Sequence, residues 1–339
     1  MGWSTTLTEK SRKRLAITGG CGYVGHSLAV ALRNTHRAKA LDVEKPSLAV
    51  EGIEYASCDV TRRDDVEEGL RGADLVIHAP IIQIPLINQK RRLGYEVNII
   101  GTQNVCEVVR ESPSVMGMIL LGSWHTIGER DLRGTIDEEF GFRPDKVEDR
   151  ARLYALSKMG QESIVRFFDE MSDKIFGVIR MGTVLGDRMP SKTAASTFID
   201  NGLGGKPITP YRQSMYRPML YVDIWDICRA FELFAGKVLD GKMEKGTSSL
   251  AHVVNVYYPK PVTILELAGI VQKAIAEQAP DKSPRIEVMD TGEVPLFMED
   301  DKDRIKPDIT KARDLLGLTS LKSPEESIRE IVRERLAGI

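Results

Sequence analysis

What this 339-residue chain lacks narrows its possibilities first. Cysteine occurs four times, as Cys21, Cys58, Cys106 and Cys228. None forms a C-x-x-C pair and no histidine stands near them at ligand spacing. A disulfide framework, a zinc site or any other metal site is therefore not expected, and the thiols read as small core residues in a reducing compartment. Neither sign of charge is in excess, with 47 Lys and Arg against 49 Asp and Glu, which argues against nucleic acid as the main ligand. No apolar run approaches the roughly 18 residues that a membrane span needs. Residues 1–14 hold no apolar stretch of the kind a secretory signal carries. The expectation is a cytoplasmic protein with no membrane partner. There are no repeats and no low-complexity tracts.

Met1-Gly2 with Thr6 matches an acylation pattern, but the bulky Trp3 speaks against its use. Residues 1–13 read as a flexible polar tail with a basic end. Beyond it, short β-rich runs alternate with amphipathic helical segments. The runs are Arg14–Thr18, Ala38–Asp42, Ile53–Ala56, Leu75–His78, Met118–Leu121 and Phe176–Arg180. Between them lie Tyr23–Arg33, Asp64–Leu70, Tyr95–Arg110 and Tyr154–Phe168. Strands alternating with helices imply right-handed crossovers and a Rossmann-type α/β fold with a doubly wound parallel sheet, over residues 14–182. After Gly182 the pattern loosens, and "GLGGKPITPYRQSMYRP" reads as loops with a short strand. Helical patterns return at Ile224–Ala235, Thr263–Glu277, Ile309–Leu316 and Pro324–Leu336. Residues 183–339 are read mainly as a smaller C-terminal substrate-binding lobe, with segments free to return to the sheet.

The first strand runs into "TGGCGYVG", where Gly19, Gly22 and Gly25 recur every third residue. Glycines after a strand and before a helix allow a tight turn and let backbone N–H groups approach a pyrophosphate. The helix N-terminus adds unpaired amides and partial positive charge. Asp42 ends the second strand, where a carboxylate can bond both ribose hydroxyls and repel a 2′-phosphate; this favours NAD over NADP. The alternative is that Asp42 merely ends a strand. Asp59, in "CDVT", suits an adenine amino group or an ordinary turn.

Tyr154 and Lys158, in "YALSK", stand one turn apart on a helix. A phenol is a poor base at neutral pH. Bringing it from pKa ~10 to ~7 is worth roughly 4 kcal/mol, within reach of a neighbouring ammonium and a cationic nicotinamide. Ser123, in "LLGSWHTIGE", ends the fifth strand and offers a hydroxyl to orient a substrate oxygen that Tyr154 deprotonates. Asn98, in "YEVNIIGTQN", sits within a long helix and otherwise reads as a polar residue bonding backbone.

Together these segments resemble the extended short-chain dehydrogenases/reductases of the NAD-dependent epimerase/dehydratase family. "TGGCGYVG" stands for TGGxGxxG, "VIHAP" for VIHxAA, "GSWHTIG" for SSxxxYG and "VIRMGTVLG" for hhRxxNhhG. "CDVT", "NIIGTQNV", "YALSK", "RPMLYVDIWD" and "PDITKARDLLG" follow in order along nearly the whole chain. The resemblance implies a catalytic Ser123, Tyr154 and Lys158, with Asn98 supporting the fold around them. It also implies cofactor contacts from Gly19, Gly22, Tyr23, Val24, Gly25, Asp42, Asp59, Val60, His78, Ala79, Asn98, Tyr154, Lys158 and Met181. A homodimer through the helices near Tyr95–Arg110 and Tyr154–Phe168 is implied as well.

Departures from the pattern bear on the reaction. Family dehydratases carry an Asp-Glu pair after the serine and decarboxylating members a glutamate, whereas this chain has Trp124 and His125. Water elimination and decarboxylation are thereby disfavoured. Epimerisation of a nucleotide sugar, at C4, needs no such acid, and returns the hydride to the substrate while NAD stays bound. Two other readings stand: a dehydrogenase with net oxidation of a sugar or other secondary alcohol, and a dinucleotide-binding regulator without catalysis. Arg217 matches an arginine that nucleotide-sugar members use on the diphosphate. Thr183 replaces a frequent asparagine there. His125 has two readings, a contact to a substrate carboxylate or hydroxyl and a neutral core histidine. Trp124 and nearby methionines read as pocket lining or plain core.

Overall fold

The structure, a computed structural model, describes residues 12–338. The acylation pattern at Met1, Gly2 and Thr6, and most of the expected tail 1–13, lie outside them. Seven strands form the central sheet: β1 (Arg14–Thr18), β2 (Arg37–Asp42), β3 (Ile53–Ser57), β4 (Leu75–His78), β5 (Gly117–Ser123), β6 (Ile175–Met181) and β7 (Val253–Val256). Their order is β7-β6-β5-β4-β1-β2-β3. The pairs β1–β2, β1–β4, β2–β3 and β4–β5 are parallel. On the far side, Val178 N–H donates to the His252 carbonyl and Gly182 N–H to the Val256 carbonyl. Partners that advance together along both strands define a parallel pair.

Every residue of β4 and β5 is buried, as expected for parallel strands covered on both faces. The principal helices are α1 (Tyr23–Leu32), α2 (Arg63–Gly69), α3 (Gly101–Glu111), α4 (Arg152–Glu170), α5 (Ala194–Leu203), α6 (Ile224–Leu239), α7 (Ile264–Gln278) and α8 (Pro324–Ala337). A single π-helical turn, Glu96–Ile100, leads into α3. Local chemistry fixes several helix starts. Thr263 and Glu266 close a capping box at α7, and Ser323 and Glu326 close another at α8; each satisfies two otherwise orphaned amides.

Among the sheet strands and principal helices, two escape the sequence pattern. β7 is a four-residue run that follows "KGTSSLAH", outside the strand–helix alternation of residues 14–182. α5 starts at Thr193, whose side chain accepts from Ser196 N–H, and it sits where Gly and Pro dominate the surroundings. The chain packs as two compact units. The first is the chain up to Leu121 with Ser157–Val178 and Phe231–His252; the second is Gly122–Leu156, Ile179–Ala230 and the chain from Val253 onward. No helix among the described residues is long and apolar enough to cross a membrane.

In the first unit the sheet order reverses between β1 and β4. That switch point leaves a crevice beyond the carboxyl ends of neighbouring strands, where ligands bind in such sheets. The covering helices pack closely. A Cβ at Gly177 of β6 would stand 2.2 Å from the Phe234 ring of α6. Gly177→Ala is expected to lower stability by about 1–3 kcal/mol through overpacking, read as a lower urea midpoint. Adding Phe234→Leu should recover part of the loss.

Candidate functional site

In the first unit, β1 runs directly into the glycine turn. Gly19 has φ +69°, and a Cβ there would meet the Pro80 nitrogen at 2.6 Å. A Cβ at Gly25 would lie 2.2 Å from the Gly19 carbonyl oxygen. Both positions therefore require glycine for the turn to close and for α1 to sit on β1. Gly22 differs, because its Cβ would meet only the Gly19 oxygen at an ordinary 3.4 Å. The fold leaves room at Gly22, which suits a group lying against the turn. Tyr23 and Val24 begin α1, whose first turn carries no acidic side chain, so its positive end stays open to an anion.

Asp42 ends β2 beside this turn. One carboxylate oxygen accepts from Cys21 N–H at 3.0 Å and the other from Glu44 N–H at 3.1 Å. It ties β2 to the turn and remains at the strand end where a ribose would lie. Cys21 itself is only half-buried, and burial followed by the Asp42 charge pushes its thiol up to about 11. Asp59 accepts from the Thr61 amide and hydroxyl at 3.0 and 2.7 Å, closing a local turn, while the neighbouring Val60 is buried. A cradle without Cβ atoms, an open helix N-terminus and an acid at the end of β2 fit a dinucleotide.

His78 is fully buried. Its ring nitrogens face Thr18 Oγ1 at 2.8 Å and Thr102 Oγ1 at 3.0 Å. Burial, and then the charge on Lys158, lowers its pKa to about 3. This imidazole is a neutral structural link, so only its backbone and that of Ala79 remain to face a ligand. Asn98 lies in the π-helical turn and is also fully buried. Its Oδ1 accepts from Ile82 N–H at 2.7 Å, and its Nδ2 donates to Ser157 Oγ at 3.0 Å and to the Ile82 carbonyl. Asn98 thus binds backbone, but that of a separate loop rather than of its own helix. Lys158 is buried, and its ammonium donates to the Leu121 carbonyl at 2.7 Å. Burial lowers its pKa to about 7.

In the second unit, Ser123 ends β5 and caps the short turn Trp124–Ile127. Its hydroxyl hydrogen-bonds with the Tyr154 phenol, accepts from His125 N–H at 3.2 Å and faces His125 Nδ1 at 3.2 Å. The His125 ring meets the Tyr154 ring edge-on, with centroids 5.8 Å apart. Burial raises the Tyr154 pKa and the Ser123 bond offsets part of that rise. Residue type and spacing reveal only the charges that draw the phenol down. Desolvation is the larger influence on this half-buried ring. Trp124 is buried and donates to Thr183 Oγ1 at 3.2 Å, so Thr183 anchors an indole. Met181 ends β6, partly exposed.

Arg217 is buried and already paired. It donates to Glu148 at 2.6 Å and lies 4.0 Å from Glu129. Glu148 also accepts from Arg150 at 2.8 Å, and Glu129 meets His125 Nε2 at 3.2 Å. Burial works against the Glu129 carboxylate, but His125, Arg217 and Arg150 together hold its pKa down to about 2. Sequence reasoning missed Glu129 and Glu148. The sole signal was the His-x-x-x-Glu spacing in "HTIGE", which surface segments also show.

Lys158 yields a pH test. Its folded pKa is depressed, so between pH ~7 and its unfolded value near 10.4 the unfolded chain binds more protons. Stability must then rise with pH across that window, by up to about 1.4 kcal/mol per pH unit from this group. Lys158→Met should remove that slope and raise stability at pH 7 in urea titrations, while impairing turnover.

The family profile described as "NAD dependent epimerase/dehydratase family" matches residues 15–245. Among curated proteins, UDP-glucuronic acid decarboxylase 1 of Danio rerio is 24% identical over 337 residues, covering 96% of this chain and 73% of that protein. The decarboxylating sterol-4-alpha-carboxylate 3-dehydrogenase of Bos taurus is 28% identical over 192 residues, 55% of this chain and 51% of its own length. Among solved structures, the UDP-glucose 4-epimerase of Thermus thermophilus in complex with NAD is similar with TM-score 0.75 at 21% identity. It covers 96% of this chain and 100% of its own; that likeness is one of fold. The family match spans more than half the chain. The chain belongs to the NAD-dependent epimerase/dehydratase family of extended short-chain dehydrogenases/reductases, and it is an NAD-dependent enzyme.

Proposed function

We propose that the protein epimerises a nucleotide sugar at C4, an isomerase reaction run through a transient ketone. The observation that carries this reading is the hydrogen bond between Ser123 and Tyr154, with Lys158 one helical turn further along α4. Gly19, Gly22, Tyr23, Val24 and Gly25 would hold the NAD pyrophosphate, Asp42 the adenosine ribose and Asp59 the adenine. Val60, Ala79, Asn98 and Met181 would flank it. When bound, NAD supplies a reversible hydride acceptor at the carbon being inverted. Tyr154 takes the hydroxyl proton, and Ser123 holds the same oxygen in line for it. The Lys158 ammonium favours the ionised phenol. Asn98, braced on Ile82 and Ser157, positions α4 from the side of the π-helical turn. Trp124 and His125 follow Ser123 where eliminating and decarboxylating relatives need a carboxylate, which supports hydride return without loss of water or carbon dioxide.

One observation favours net dehydrogenation of a different alcohol as a second reading. Arg217, the residue expected on a substrate diphosphate, is committed to Glu148. A diphosphate would have to displace a buried carboxylate to reach it.

Denaturing the purified protein and assaying for NAD tests retention of the cofactor. Incubation with UDP-glucose, UDP-galactose and UDP-glucuronic acid, followed at the NADH absorbance, tests the reaction. Interconversion without NADH accumulation is expected, and steady NADH formation assigns the dehydrogenase instead. Tyr154→Phe should lower turnover by about 100- to 10,000-fold and leave NAD binding intact. Full turnover in that variant would overturn the assignment of the base.

We also infer a homodimer built on α4. Leu153, Leu156 and Phe167 are exposed on this helix, at spacings that share one face. Light scattering after size exclusion should give a dimer for the native chain and a monomer for Phe167→Asp. A dimer persisting in the variant would remove this face from consideration.

A further inference from the structure

We propose that His125, held by Glu129, is the proton acceptor behind Ser123 and Tyr154, so that the proton released on substrate oxidation is stored on this imidazole. The inference rests on Tyr154 being the base, as argued above. Four groups of the second unit stand in series. The Tyr154 phenol bonds the Ser123 hydroxyl, Ser123 Oγ faces His125 Nδ1 at 3.2 Å, and His125 Nε2 faces Glu129 Oε1 at 3.2 Å. An ionised carboxylate can only accept hydrogen bonds, so the ring hydrogen belongs on Nε2 and Nδ1 is left as an acceptor. Ser123 Oγ already accepts from the His125 amide, so its own hydrogen is free to turn toward Nδ1 or toward Tyr154. The series can therefore pass a proton from phenol to hydroxyl to imidazole, and back along the same bonds.

The surroundings suit a stored charge. Facing the imidazole are Ser123 and Trp124 from its own turn, Tyr154 from α4, and Glu129. Behind Glu129 stand Arg217 at 4.0 Å and the charge of Arg150, with Glu148 holding both guanidiniums. Two carboxylates and two guanidiniums cancel, and the proton is the one charge that comes and goes. Glu129 is 1% exposed, yet one of its oxygens, Oε2, has no hydrogen-bond partner. Burying a carboxylate costs several kcal/mol unless charge compensates it, and an imidazolium 3.2 Å away is such compensation. The His125 side chain is 21% exposed, so the stored proton can also reach solvent.

The step balances. The substrate O–H proton goes to the tyrosine oxygen, the phenol proton to Ser123 Oγ and the Ser123 proton to His125 Nδ1. The C–H electron pair would leave with its hydrogen as the hydride that NAD accepts when bound. The imidazole gains one proton and one positive charge, and reduction reverses each transfer. His125 and Glu129 act through Ser123, as positioning and relay residues.

Two measurements test the relay. The first uses the full chain, without substrate, labelled with ¹⁵N-histidine; its five histidines are sorted by the signal lost in His125→Asn. The Nε2–H tautomer at pH 8, with a signal that moves in Tyr154→Phe, is expected. An Nδ1–H tautomer overturns the relay, because Nδ1 then cannot accept. The second uses whichever UDP-sugar is turned over in the preceding experiment. His125→Asn should lose about 100-fold in kcat with KM within about twofold, lose the acid limb of the kcat–pH profile, and regain rate on addition of free imidazole. A wild-type profile in His125→Asn, or a loss that imidazole does not rescue, overturns the relay. Tyr154→Phe separates the two claims. If it stays active the reading of the base fails, and if it is inactive while His125→Asn is normal the relay alone fails. Should His125→Asn not fold, the tautomer read on native protein, with Glu129→Gln sorting the signal, still decides.

Discussion

Two buried carboxylates, Glu129 and Glu148, are compensated by Arg217, Arg150 and His125, and the candidate chemistry of the second unit depends on that compensation. Removing one partner from such a group strands a charge in a poorly polarisable interior, at a cost of about 3–5 kcal/mol. The group is therefore held as a whole, and it holds what it touches. His125 is turned by Glu129 so that Nδ1 faces Ser123. Ser123 in turn bonds Tyr154. The orientation of the proposed base is thus set by electrostatics that begin behind Ser123, among residues that need never meet a substrate.

The same group changes how Arg217 is understood. An arginine at its place in "RPMLYVD" suggests a clamp for a diphosphate. Here the guanidinium already has an anionic partner, so binding a diphosphate would exchange one anion for another rather than fill an open site. That exchange weakens affinity by whatever the Glu148 contact is worth. It is the strongest physical reason to keep alcohols without a diphosphate in view beside nucleotide sugars.

In the first unit the governing constraint is steric. The Gly19 carbonyl and Gly25 approach too closely for any Cβ, and that contact seats α1 on β1 with its N-terminus open. Polar groups around it are largely satisfied by one another: His78 by two threonines, Asn98 by Ile82 and Ser157, and Lys158 by a strand carbonyl. A framework with its internal hydrogen bonds made leaves the turn's amides and the Asp42 carboxylate as the natural points of contact for a dinucleotide. Burial acts on Lys158 and Tyr154 alike, disfavouring the charged form of each taken alone.

Much of this was legible in the sequence, because it rests on local pattern. Six of the seven sheet strands show as β-rich runs within a residue or two of their ends, and α1, α4 and α8 follow from apolar periodicity. The glycine turn, Asp42, Ser123, Tyr154 and Lys158 could be named from residue type and spacing. β7 and α5 could not, since one stands outside the regular strand–helix alternation and the other lies among glycines and prolines. The sequence by itself determined the family and the fold, and it offered Ser123 and Tyr154 as candidates. Only the tertiary structure decided that His78 is a sealed structural link, that Arg217 is spoken for, and that Glu129 stands behind His125. Charge compensation and burial depend on distances between residues far apart in the chain, and no local pattern encodes those distances.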